Sequence, residues 1–164
     1  MSPRARVALP VAYGVTLEVP LKGGPVVIAK STDSGTTWTT PAVLLRGSYQ
    51  TAPTPVVESN SIVYRTMEES SVEGGTEALI IWARNDADLT KAASWQRSNG
   101  ITCPPKKDGA RRSWQEGSAV ESADGSIVNV LRVNDQDESN FNVAALAALD
   151  KHGNLTFSKF VRCL

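Results

Sequence analysis

Ser31-Thr32-Asp33-Ser34-Gly35-Thr36-Thr37-Trp38 follows directly on the strand-like run Pro25–Lys30 (PVVIAK), and its reading decides the fold. It fits S-x-D-x-G-x-x-W at every fixed position, and each position has a physical reason. A carboxylate at Asp33 can accept hydrogen bonds from the backbone amides of its own turn, and Gly35 can take positive φ where the chain reverses. Ser31 can tie the turn to its neighbours. Trp38 is expected to plug the hydrophobic gap beneath the turn and so to be largely buried.

Outward from this turn, glycine and proline punctuate the chain at short intervals, with runs of strand length between them. Pro41–Leu45, Thr54–Glu58, Ser61–Met67, Ala78–Arg84, Gly117–Glu121, Ser126–Val133 and Asn142–Leu149 read as strands, with a short last one at Leu155-Thr156-Phe157. Ser59-Asn60 and Asp124-Gly125 read as hairpin turns. Only Asp86–Trp95 (DADLTKAASW) has helical composition, over one or two turns with Asp86 as cap. Ser98–Ser113 reads as a long exposed connection. Many short strands joined by hairpins predict an all-β chain: a sandwich, a barrel or propeller blades.

The chain has 164 residues, for which a single domain over 1–164 is the expectation. Its 17 Lys+Arg balance 17 Asp+Glu, so nothing draws it generally to nucleic acid or anionic membranes. No apolar run approaches the roughly 18 residues of a membrane span, and Met1–Val11 does not read as a secretory signal. Cys103, Cys163 and the lone His152 are too few for the usual structural zinc site, so no metal and no cofactor is expected. A disulfide between the two cysteines is left open by their spacing.

The octapeptide is the pattern of the Asp-box, or BNR repeat, and the chain resembles the sialidase (neuraminidase) family of β-propellers. Tyr49–Glu68 (YQTAPTPVVESNSIVYRTME) looks like the opening strands of the next blade. Trp114–Asn134 (WQEGSAVESADGSIVNVLRVN) looks like the segment where those enzymes carry a glutamate, a D-G hairpin and then an arginine. The likeness runs from about Pro25 to Phe157. It implies antiparallel blades, and at roughly 40–50 residues per blade the chain holds about three to four of six. The domain is therefore expected to be incomplete, partnered by the missing blades of a longer chain or by self-association. In the family the Asp-box turn lies away from the active site, so Ser31, Asp33, Gly35 and Trp38 are expected to be structural.

The resemblance also implies exo-α-sialidase chemistry, the release of terminal sialic acid from glycans. Such an enzyme sets three arginines around the substrate carboxylate, whose planar anion matches guanidinium. Its nucleophile is a tyrosine activated by a glutamate, with an aspartate as acid/base, outside the common two-carboxylate scheme. Glu116 matches the tyrosine-activating glutamate and Arg132 a carboxylate-binding arginine, with the Asp124-Gly125 hairpin between them. The other account of the pair is a surface carboxylate and a solvated strand charge.

The rest of the catalytic set does not match. No R-x-P motif supplies a first arginine, and no aspartate precedes the box as acid/base. Tyr13, Tyr49 and Tyr64 all come before Glu116, and Arg162 arrives too soon to be the third arginine. Arg65 with Glu68, and Arg84 with Asp86 and Asp88, read as surface ion pairs or as groove lining. Trp82, Trp95 and Trp114 read as packing between blades or as sugar-stacking platforms. His152 and the Lys106-Lys107 and Arg111-Arg112 cluster read as solvated turn and loop residues. Two function classes follow: a partial or degenerate sialidase-type hydrolase acting on sialylated or other glycans, and a non-catalytic propeller module binding glycans or proteins.

Overall fold

The computed structural model describes residues 6–8, 23–50, 56–70, 76–103, 113–134, 142–149 and 155–162. The strands are β1 (Arg6–Ala8), β2 (Gly24–Ser31), β3 (Ala42–Gln50), β4 (Val57–Ser59), β5 (Ile62–Ser70) and β6 (Thr76–Arg84). They continue with β7 (Trp95–Arg97), β8 (Ile101–Thr102), β9 (Ser113–Glu121), β10 (Ile127–Asn134), β11 (Asn142–Leu149) and β12 (Leu155–Arg162). Every pairing is antiparallel, and the fold is all-β. One sheet runs β1-β2-β3-β5-β6-β7, with β4 on β5 and β8 on β6; the other runs β12-β11-β10-β9. Among the described residues the sheets do not close into a barrel or ring, and no helix is long and apolar enough to cross a membrane.

Alternation along β5 sorts the core into two layers. Val63 and Met67 face one way and join Val26, Ile28, Leu44 and Tyr49 of β2–β3, with Leu79, Ile81 and Trp95. Tyr64, Thr66 and Glu68 face the other way, in register with Trp82, Ile80 and Ala78 of β6. That second face meets β9 and β10, where Ile127 packs on Tyr64 and Trp82. Trp114, Leu131 and Val133 pack there on Ala78. Trp82, Trp95 and Trp114 are all buried, Trp82 and Trp114 where the two sheets meet and Trp95 in the core of the first sheet.

The octapeptide forms the turn between β2 and β3. Thr37 donates its N–H (2.9 Å) and its hydroxyl (2.6 Å) to Asp33, and the Ser31 hydroxyl donates to Asp33 at 2.8 Å. These donors, Thr37 first, hold the Asp33 carboxyl down at about 2. Ser31 Oγ also accepts the Gly35 N–H at 2.8 Å, and Gly35 sits at φ 92.

Trp38 departs from its expected place. It is 45% exposed. Residues 32–41 all stand in solvent, so the indole has no core beneath it. Instead its Nε1 donates to Gly35 O at 3.0 Å, which pins the ring to the outside of the turn.

Two other expectations shift. Asp86–Trp95 is not a helix but a succession of turns ending in a single 3-10 turn, Ala92–Ser94. Short polar side chains take the backbone there: Asp88 accepts both the N–H and the hydroxyl of Thr90, and Ser94 Oγ donates to Asp88 O. The β4–β5 reversal falls one residue later than Ser59-Asn60. Ser59 pairs with Ile62, and Asn60 and Ser61 both take positive φ, 48 and 64, the type I′ geometry of a two-residue loop. Within the segment read as exposed connection, Ile101–Thr102 pairs with β6 and Ser98 is buried. Residues 104–112, with Lys106, Lys107, Arg111 and Arg112, lie outside the described residues, as do Tyr13, His152 and Cys163.

Candidate functional site

The β9–β10 hairpin owes its shape to its turn. Ser122 and Ser126 close a three-residue loop in which Gly125 takes φ 83, and Asp124 accepts from the N–H and hydroxyl of Ser126. From there the ladder runs regularly to Val130↔Ser118 and then slips, resuming at Arg132↔Gln115. Leu131 therefore faces both Glu116 and Gly117, a β-bulge. Glu116 sits at φ 55, a left-handed conformation that costs a non-glycine residue of order 1–3 kcal/mol and clusters at working sites.

The bulge is gripped from the facing sheet. Glu68 Oε1 accepts the Gly117 N–H at 2.8 Å, and the Thr66 hydroxyl donates to Gly117 O at 2.6 Å. A side chain on Gly117 would meet Glu68 Oε1 and Asn129 Oδ1 at 2.9 Å and Leu131 Cδ2 at 3.1 Å. Gly117→Ala should therefore destabilise by about 1–3 kcal/mol through overpacking, measurable as a lower urea midpoint with unchanged slope.

The slip brings Glu116 onto Arg132. Arg132 Nε lies 3.0 Å from Glu116 Oε2, and Nη2 donates to Glu116 Oε1 at 3.2 Å and also to Gln115 Oε1. The Glu116 side chain is 55% exposed and that of Arg132 37%, so the ion pair lies at the surface with the arginine half-buried. It lies far from the Ser31–Trp38 turn. β3 starts beside that turn and ends with Tyr49 and Gln50 paired to Glu69 and Glu68, and Glu68 is the residue that reaches Gly117.

Arg65 and Glu68 do not form a surface pair. Both are buried, 5% and 0% exposed, on opposite faces of β5. Burial pushes the Glu68 carboxyl up to about 7, against the Gly117 bond and the charge of Arg65. Its Oε2, and both polar atoms of the buried Asn129, have no hydrogen-bond partner among the described residues. Arg84 does pair with Asp86 in solvent, at 3.0 Å.

The structure also joins groups that the sequence did not connect. The Tyr49 hydroxyl donates to Glu69 at 2.9 Å, and Arg97 Nη2 bridges Glu69 (2.7 Å) and Glu77 (3.1 Å), which lie opposite each other in the ladder. Only the register reveals this meeting. It is a tyrosine–glutamate pair, but Tyr49 is buried and its phenol is pushed up to about 12 by desolvation and by Glu69. Burial also raises Tyr64. A nucleophile needs the opposite shift.

A hollow of about 580 Å³ opens at the end of the sheet near the Ser31–Trp38 turn, floored by Ile28, Val56 and Val63 and rimmed by Lys30, Glu58 and Asp88. Its carboxylates are engaged, Glu58 by Asn85 and Asp88 by Thr90. Among the described residues no group of three His, Cys, Asp or Glu is placed to hold a metal ion.

No protein-family model matches the chain, and no curated protein matches it. Among solved structures it is similar to a protein of unknown function from Dyadobacter fermentans, with a TM-score of 0.61 and 16% identity. The match covers 96% of this chain and 46% of that one, so the chain spans under half the length of that protein. At this identity the likeness is one of fold alone.

Proposed function

We propose that the chain is a partial sialidase-like domain of exo-α-sialidase type, contributing a glutamate and an arginine to a site for carboxylated sugars. Strands β4–β8 and β9–β12 are two of its blades, and β1–β3 belong to a third. The observation that carries the reading is the exposed Glu116–Arg132 pair, held on a bulge in left-handed backbone. The arrangement suggests a handover. A sugar carboxylate arriving at Arg132 competes with Glu116 for the guanidinium, and the displaced glutamate is then free to take a proton from a tyrosine. That tyrosine and the other arginines come from polypeptide outside this chain.

Two observations favour the second reading, a non-catalytic module that binds glycans or proteins. Arg132 is already forked by Glu116 and Gln115, and Tyr49 and Tyr64 have raised phenols. On either reading the isolated chain should bind sialyllactose no more tightly than the millimolar range, because one exposed charge pair contributes only about 0–1 kcal/mol. Release of a fluorophore from a sialoside decides between the two. Hydrolysis abolished by Glu116→Gln supports the enzyme. Absence of hydrolysis when the chain is supplied within a six-bladed protein overturns it in favour of the binding module.

A further inference from the structure

We propose that Glu68 is the positioning residue of the Glu116–Arg132 pair, a buried carboxylate that holds the bulge through the Gly117 N–H, loosening it when it gains a proton and tightening it when it loses one. The inference rests on the proposed function for what the pair does, but its geometry stands alone.

Three features single Glu68 out. Its side chain crosses from one sheet to the other and ends on the one backbone amide that follows Glu116. That amide belongs to the residue where the ladder slips, so the bond fixes the bulge and not merely the sheet spacing. And Glu68 is completely buried with one carboxylate oxygen unpartnered among the described residues, a costly arrangement for a group with only a packing role.

The charged groups around it come from known places. Arg65 lies on its own strand, and Glu116 on β9 opposes its ionisation. Arg132 of β10 is engaged by Glu116. From β6 the cross-strand neighbour is Ala78, and from β3 it is Gln50, neither of them charged. Burial keeps the proton on Glu68 up to about pH 7. Above that, the anion accepts a charge-assisted bond from Gly117, shorter and roughly twice as strong as the neutral one. The bulge is thus held hardest in the ionised state, and the aim of Glu116 at Arg132 follows the proton on a residue that touches neither substrate nor arginine.

The test is an amide NMR titration of the whole chain from pH 5 to 9. The Gly117 amide proton should move downfield in one step with a midpoint of about 7, and the Glu116 amide should move with it. Glu68→Gln, which keeps an acceptor but cannot ionise, should abolish the step while leaving the rest of the spectrum in place. A Gly117 amide that stays flat in the wild-type chain overturns the proposal, whether or not the variant folds; a step that survives Glu68→Gln overturns it too. Sialyllactose added at pH 6 and pH 8 separates this inference from the functional reading. A Gly117 step with no ligand response at the Arg132 side chain leaves the positioning role standing and removes the sugar site. A ligand response with no Gly117 step does the reverse.

Discussion

Trp114→Ala is expected to destabilise the chain by about 3–5 kcal/mol, the usual loss for a fully buried aromatic. Trp114 is 1% exposed and packs on Ala78, Leu131 and Val133 where the two sheets meet. Its backbone carbonyl also accepts the Thr76 hydroxyl at 2.5 Å, so the residue is held from both sides of the layer. Deleting the indole leaves a void that strands on rigid ladders cannot collapse to fill. Trp38→Ala should cost far less, about 1–2 kcal/mol, since it removes one hydrogen bond and a half-exposed ring. Urea denaturation of the two variants side by side checks the contrast. Equal midpoints would mean that the sheet-to-sheet layer is not where the stability lies.

The contrast between these tryptophans shows what could be read from sequence. Strands were legible because β-branched and aromatic runs sit between turn residues, and the Asp33 turn because its hydrogen bonds are local to eight residues. The exposure of Trp38 was not, since it depends on whether anything packs over the turn, a tertiary fact with no local signature. Asp86–Trp95 misled for a related reason. Its alanines and leucine favour helix, but Asp88, Thr90 and Ser94 take the backbone hydrogen bonds for themselves. At the site, Glu116 and Arg132 could be picked out only by the resemblance of Trp114–Asn134 to a sialidase segment. What brings them together could not: the slip opposite Leu131 has no local sequence signature, and the grip of Glu68 comes from a strand some fifty residues away in sequence. A glutamate between Met67 and Glu69 on a β-rich run looks like a solvent-facing residue, and only the sheet-on-sheet packing turns it inward.

That buried glutamate should give the chain an unusual pH profile: stability falling as pH rises from 5 to 8. The sign follows from proton uptake. In the unfolded chain Glu68 releases its proton near the ordinary 4.5, whereas the folded chain keeps it up to about 7. Between those values the folded state holds one more proton than the unfolded state, so raising the pH favours unfolding. The accumulated loss is roughly 3 kcal/mol by pH 8, on the order of 10 °C in thermal midpoint for a chain of this size. Asp33, Asp86, Asp88 and Asp124 do not mask it. Their carboxyls are all lowered, so their contribution is complete above the ordinary 3.8 and is lost only in stronger acid. Glu68→Gln should therefore have a flatter profile than wild type between pH 5 and 8, with the two curves separating as pH rises and the variant the more stable at pH 8. Parallel curves would show that Glu68 is solvated in the folded chain. Diverging curves would mean that the chain sacrifices stability near neutral pH to keep an anion on the Gly117 amide, a trade that packing alone gives no reason to make.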